Sequence, residues 1–314
     1  MRRETSGVNA AQTSLSSIQV PGFFARIRQD RKAYLFVLPA VIGCCVFTLF
    51  PILYNIYLST LSWDLTSNDR YFVGIQNYIR LLHDTEFLQS LGETVVFSAG
   101  VICISIFLAL LLAVWLNKNT KLHYFIQSCI FTPYIVSLVS ISMLWMWIMD
   151  YDNGCLNFFL SMFHIAGVHW LDSPSCALAS LVIIQIWQTL GYNTLILIAG
   201  LQSIPGNIYE SARLDKSKNI TTFWKITVPM VSPSLFFLII INIINSFQVF
   251  TLISVITKGG PVNATNLLVF WIYQTGFGYY NIGSAATGSV FLTVIIAIIT
   301  LLYFRTLSHR VHYQ

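Results

Sequence analysis

Long apolar runs separated by short polar stretches organise this chain. They cover about residues 33–57, 91–116, 123–149, 176–201, 231–257 and 282–304. A helix needs about 20 apolar residues to cross a bilayer core, so each run is long enough to span one. The runs are almost free of charge, with Glu93 at the edge of the second. The pattern predicts an all-α membrane protein whose six transmembrane helices occupy residues 33–305. A polar tail, 1–32, precedes them and a short one, 306–314, follows. The first tail has no apolar run, and the first hydrophobic segment is too long for a cleaved signal peptide. Two connections, about 59–90 and 150–175, are long enough to hold structure, and Ile75–Leu82 within the first reads as a helix.

Composition agrees with that pattern. The chain has 314 residues, 56% of them hydrophobic and 9% charged, with a mean hydropathy of +0.70. A soluble domain of this make-up would face water with Leu, Ile and Phe. Charge then gives the orientation, because Lys and Arg collect on the cytoplasmic side. With the N-terminus inside, that side holds Arg2, Arg3, Arg26, Arg28, Arg31 and Lys32 in the tail, then Lys118 and Lys121. Arg213, Lys216, Lys218, Lys225, Arg305 and Arg310 follow, making fourteen of the seventeen basic residues. Arg70, Arg80 and Lys258 are left outside, so both termini are expected in the cytoplasm of a bacterial plasma membrane. Topology and anionic lipid account for the net charge of +5, and nucleic-acid binding is not expected.

The chemistry the chain lacks narrows its class. No ionisable group lies near the middle of any run, where a proton- or ion-driven carrier would hold its relay. No Gly-x-x-x-x-Gly-Lys loop, His-x-x-x-His pair or Gly-x-Ser-x-Gly turn occurs. Asp150 and Asp152 read as solvated acids of a loop, so neither catalysis nor a metal or other cofactor is expected. The six cysteines have no metal-ligand spacing and read as small packing residues. For Cys155 and Cys176, on the same side, a disulfide is the alternative. Small residues from Gly283 to Ser289 suit close helix packing.

Neutral amides do enter the runs. Asn242, Asn245 and Gln248 recur every three residues along the fifth, and Gln185, Gln188 and Asn193 mark the fourth. An amide in hydrocarbon needs a partner, which leaves two readings. Either the side chains bond between helices, or Gln188, Asn193, Asn242, Asn245 and Gln248 line a path for a hydroxyl-rich solute, offering donor and acceptor together.

Between the fourth and fifth runs lies an amphiphilic island, residues 203–217, with five ionisable residues from Glu210 to Lys218. Ser203 is placed to cap, Pro205 stands near a helix start, and Ile208–Leu214 reads as a short helix with Tyr209 and Ala212, extended by Lys216, on one face. Such a helix just outside a bilayer can meet a soluble partner. A six-span secondary carrier or channel uncoupled from ATP is the alternative at this point.

The island resembles a known motif. Tyr209-Glu210-Ser211-Ala212-Arg213-Leu214-Asp215, followed by Ile226-Thr227-Val228-Pro229, is similar to the EAA loop of binding-protein-dependent ABC importer permeases. Leu38-Pro39-Ala40, Phe50-Pro51-Ile52-Leu53-Tyr54, Phe72-Val73-Gly74-Ile75-Gln76-Asn77-Tyr78 and Phe131-Thr132-Pro133-Tyr134 resemble the maltose and glycerol-phosphate permease branch, in order. So do Ala199-Gly200-Leu201-Gln202-Ser203-Ile204-Pro205, Ser246-Phe247-Gln248-Val249-Phe250 and Gly259-Gly260-Pro261. The resemblance implies a type I importer permease (MetI-like) fold with a coupling loop over 203–229. It implies as partners a second permease subunit, a cytoplasmic ATPase dimer that hydrolyses the ATP, and an external solute-binding lipoprotein that delivers a sugar. Carried over by position, Tyr209, Glu210, Ser211, Ala212, Leu214 and Asp215 are the ATPase-coupling residues. The family's glycine after the Asp is Lys216 here, so the bend is expected to move, to Asn219, or to be made by other means. Ser211 replaces an alanine, and Thr251 stands where the family often carries an aspartate.

Overall fold

The computed structural model describes residues 31–65 and 69–307, with side chains from residue 35 to residue 306. The basic tail, except for its last two residues, and residues 308–314 lie outside that range. The chain forms two compact units, one ending at Tyr54 and the other beginning at Asn55.

The first unit holds helix α1, Arg31–Cys44, a π-helical turn at Cys45–Leu49 and the start of α2, Phe50–Ser59. Pro51 has no N–H to return to the preceding turn. There the helix widens, and the Phe50 N–H reaches the Cys45 carbonyl.

The second unit opens with the exception to an all-helical chain, a hairpin of β1, Leu61–Trp63, and β2, Arg70–Phe72. Its strands are antiparallel, with Ser62 opposite Tyr71. Helix α3, Gln76–Leu81, supplies its anchor. The buried Asn77 amide donates to the Ser59 carbonyl at 3.0 Å and the Leu61 carbonyl at 2.8 Å.

Helix α4, Thr85–Leu116, starts earlier than the apolar run because the Asp84 carboxylate caps it. That side chain accepts from the Glu86 N–H at 2.9 Å and the Phe87 N–H at 3.2 Å. Glu93 therefore lies inside the helix, half-buried, and not at its edge.

The third run is not straight. Helix α5, Lys121–Ile135, and α6, Leu138–Ile148, meet at 100°. Pro133 disrupts the bonding of the last turn of α5, and Val136 and Ser137 take extended backbone, with ψ of 144° and 130°. After α7, Cys155–Met162, helix α8, Ala177–Gln202, runs through the centre of this unit. The connection then holds α9, Gly206–Leu214, α10, Asn219–Thr222, a π-helical turn at Phe223–Thr227, and α11, Val228–Met230.

The fifth run divides into α12, Ser232–Phe247, and α13, Thr251–Ile256, with the break at Gln248–Phe250. Helix α14, Leu268–Tyr273, and a π-helical turn at Gln274–Gly278 lead into α15, Ile282–Leu307. Among the described residues, five helices are long and apolar enough to cross a membrane, or six with the bent α5–α6 pair as one span.

Helix α8 packs against α4, α5 and α12. Leu197, Ile198 and Leu201 of α8 join Ala109, Ala113 and Leu116 of α4, with Leu238 of α12, in one buried cluster. At Gly191 the helices α8 and α5 meet backbone to backbone. Any Cβ there would overlap the Ile130 carbonyl, so a larger residue would force the pair apart.

Candidate functional site

Helix α9 presents two distinct faces. Ile208 and Tyr209 are half-buried and pack against the cluster of α4, α8 and α12, and Ala212 is buried on the same side of the helix. Asn207, Glu210, Ser211 and Leu214 are exposed and share the opposite face, with Arg213, Asp215 and Lys216 exposed beside them. Leu214 is 84% exposed, an apolar side chain offered outward from a polar surface. The six motif residues thus divide. Tyr209 and Ala212 seat the helix, while Glu210, Ser211, Leu214 and Asp215 are accessible from outside.

The ends of α9 differ from the sequence expectation. Ser203 does not cap it; its hydroxyl donates to the Gly200 carbonyl at 2.8 Å and closes α8 instead. Pro205, extended at ψ 131°, occupies the N-cap position. At the other end the bend does not move to Asn219. Lys216 itself takes the left-handed conformation at φ 49°. The Lys216 N–H donates to the Arg213 carbonyl and the Ser217 N–H to the Ala212 carbonyl, each at 3.0 Å. This is a Schellman ending. A side chain in that conformation costs about 1–2 kcal/mol relative to ordinary helical backbone, and the two bonds offset it.

A line of hydroxyls ties α9 to the segment that returns to the bundle. The Tyr209 hydroxyl donates to Thr227 Oγ1 at 3.3 Å, and Thr227 donates to the Thr222 carbonyl at 3.4 Å. Thr222 Oγ1 donates to Ser217 Oγ at 3.2 Å. The link among Ser217, Thr222 and Thr227 escaped the sequence reading because they recur every five residues, a spacing that marks no α-helical face. The π-helical turn at Phe223–Thr227 makes that spacing meaningful.

The amides of the spans also divide. Asn193 of α8 is fully buried and bonds reciprocally with Asn242 of α12. The Asn242 amide donates to Asn193 Oδ1 at 3.0 Å and the Asn193 amide to Asn242 Oδ1 at 3.3 Å. Ser105 of α4 lies 3.4 Å from the Asn193 amide, a third partner not foreseen from the sequence. Gln188, half-buried, accepts from the Gln185 amide at 3.1 Å. Asn245 and Gln248 are exposed, and Gln248 stands where α12 ends and the span breaks. The structure therefore brings Asn193 and Asn242 together and leaves Asn245 and Gln248 open.

A cleft of about 710 Å³ lies elsewhere, lined by Trp147, Tyr151, Asp152 and Asn153 among others, and shares no residue with α9 or the amides. Cys155 and Cys176 are both free thiols. Among the described residues no group of His, Cys, Asp and Glu is arranged to hold a metal.

Comparison with known proteins places this geometry in context. The family described as binding-protein-dependent transport system inner membrane component matches residues 105–312. The sn-glycerol-3-phosphate transport system permease protein UgpA of Agrobacterium fabrum is 35% identical over 283 residues, 89% of this chain and 96% of that protein. Its namesake in Escherichia coli O157:H7 is 31% identical over 284 residues, 90% of this chain and 95% of that protein. One chain of a bacterial alginate ABC transporter, crystallised with its alginate pentasaccharide-bound periplasmic protein, superposes with a TM-score of 0.80 at 20% identity. That match covers 91% of this chain and 96% of the other. A second alginate importer structure gives a TM-score of 0.79 at 21% identity, covering 92% of this chain and 99% of the other.

Proposed function

Because the chain belongs to the family of binding-protein-dependent transport system inner membrane components, we propose that it carries a sugar or related polyol across the bacterial plasma membrane. It is a membrane-spanning permease subunit of an ATP-driven importer, a transport component and not an enzyme. In our reading it pairs with a second permease subunit, so that the exposed Asn245 and Gln248 face a shared path and not lipid. An external solute-binding protein delivers the cargo, and a cytoplasmic ATPase dimer supplies the energy. The distribution of Lys and Arg supports an N-in, C-in orientation, with α9 on the ATPase side.

The observation that carries this reading is the two-faced α9. Its inner face is satisfied by the bundle, while Glu210, Ser211 and Leu214 stand outward with an acidic, a small and an apolar side chain on one surface. A surface of that kind suits a cleft with an apolar floor and a basic or hydrogen-bonding rim. Amides at the break of a span suit a hydroxylated cargo, since each both donates and accepts. The names of the relatives, which concern glycerol phosphate and the acidic polysaccharide alginate, support a polyhydroxylated solute.

The test is Glu210→Lys in the assembled complex, followed by copurification with the ATPase and by solute uptake. Charge reversal on the docking face is expected to weaken association about tenfold or more, equivalent to at least about 1.4 kcal/mol, with uptake lost in parallel. Undiminished association and uptake would overturn the docking assignment.

A further inference from the structure

We propose that the hydroxyl line Tyr209–Thr227–Thr222–Ser217 is a strut that makes α9 and the entry to α12 move as one body. The proposal rests on the reading of α9 as the ATPase-docking helix, and it assigns positioning roles to residues outside the docking face.

The need for a strut follows from the size of α9. It is nine residues long and seats only Ile208, Tyr209 and Ala212 against the bundle. Apolar contact is non-directional, so this small face can slide or roll under load. Hydrogen bonds fix register, because they weaken steeply with misalignment. Here they run head to tail from Tyr209 on α9 to Thr227, from Thr227 to the Thr222 carbonyl, and from Thr222 to Ser217. Ser217 is the residue whose N–H closes the Schellman ending on Ala212. Both ends of the line therefore return to α9, one through a side chain and one through its terminal backbone bond.

The line also continues into the span. The Val231 N–H donates to the Thr227 carbonyl and the Leu235 N–H to the Val231 carbonyl, each at 3.0 Å. Thr227 is thus the junction: its hydroxyl faces α9 and its backbone leads into α12, the helix that carries Asn242, Asn245 and Gln248. It is 5% exposed, so its hydroxyl depends on the protein for partners. The π-helical turn that ends at Thr227 brings its hydroxyl to the carbonyl five residues back. The left-handed Lys216 has a role in the same device, since it turns the chain so that Ser217 can meet Thr222.

The experiment uses the whole transporter in proteoliposomes with its binding protein, and reads solute molecules imported per ATP hydrolysed. Thr227→Val removes the hydroxyl and keeps the shape. It is expected to lower that ratio about fivefold, the factor one neutral hydrogen bond supports, with the ATPase still copurifying. Thr227→Ser, which keeps the hydroxyl, is expected to restore the ratio, and Tyr209→Phe, which loses one oxygen at the other end, to lower it again. An unchanged ratio in both Thr227→Val and Tyr209→Phe, in an intact complex, would overturn the strut. So would failure of Thr227→Ser to rescue, because the effect would then belong to packing. Glu210→Lys reads docking and these variants read the ratio, so failure of the strut is distinguishable from failure of the docking assignment.

Discussion

Asn242 and Asn245 lie one turn apart on α12 and have opposite environments. Asn242 is buried and bonds Asn193 across to α8 and the Leu238 carbonyl of its own helix, while Asn245 is exposed. A step of three residues along a helix falls short of a full turn by about 60°. On α12 that rotation carries the stripe from the packed face to the open one. Residue type alone therefore does not say whether an intramembrane amide is structural or available. Its position relative to the neighbouring helix does. Interhelical bonding accounts for Asn242, and the polar path proposed above falls to the exposed Asn245 and Gln248.

The strongest way to break this distinction is Asn242→Leu. The substitution leaves the fully buried Asn193 without its amide partner, with only the Ser105 hydroxyl at 3.4 Å. Stranding a buried polar group costs about 1–3 kcal/mol, so thermal unfolding of the detergent-solubilised complex is expected to shift downward. A melting temperature equal to wild type would show that the clasp carries no load. Asn245→Leu should do the reverse, leaving the melting temperature unchanged and lowering solute uptake about fivefold, on the scale of one lost hydrogen bond to cargo. Uptake at the wild-type rate would remove Asn245 from the path.

Much of the architecture was legible because the bilayer is a demanding solvent. Five of the apolar runs lie in helical stretches in the expected order, and the short helix expected within the island at 203–217 is α9, although Tyr209 and Ala212, coupling residues by resemblance, lie on its buried side. The breaks were less legible. Apolar residues continue on both sides of Val136–Ser137 and of Gln248–Phe250, so a hydropathy pattern reads through them. Pro133 was the available signal for the first. For the second it was the Ser246-Phe247-Gln248-Val249-Phe250 stretch, which coincides with the end of α12. Lys216 failed for a different reason. Sequence logic reserves left-handed backbone for glycine, but two terminal hydrogen bonds hold a lysine there at φ 49°. Ser105 escaped because a serine on a long apolar helix announces no partner.

The smallest expected effect sharpens the comparison most. In the double variant Asn193→Leu/Asn242→Leu both halves of the clasp go together, and no amide is left stranded; only the Ser105 hydroxyl loses its longer contact to Asn193. Replacing both partners of a buried hydrogen bond by apolar groups of similar shape is close to neutral, and interhelical bonds in membranes average only about 0.6 kcal/mol. The melting temperature should thus return most of the way from that of Asn242→Leu, and uptake should persist, because Asn245 and Gln248 are untouched. If stability recovers and uptake does not, the buried pair belongs to the path as well as to the packing. The turn between Asn242 and Asn245 would then no longer divide structure from transport.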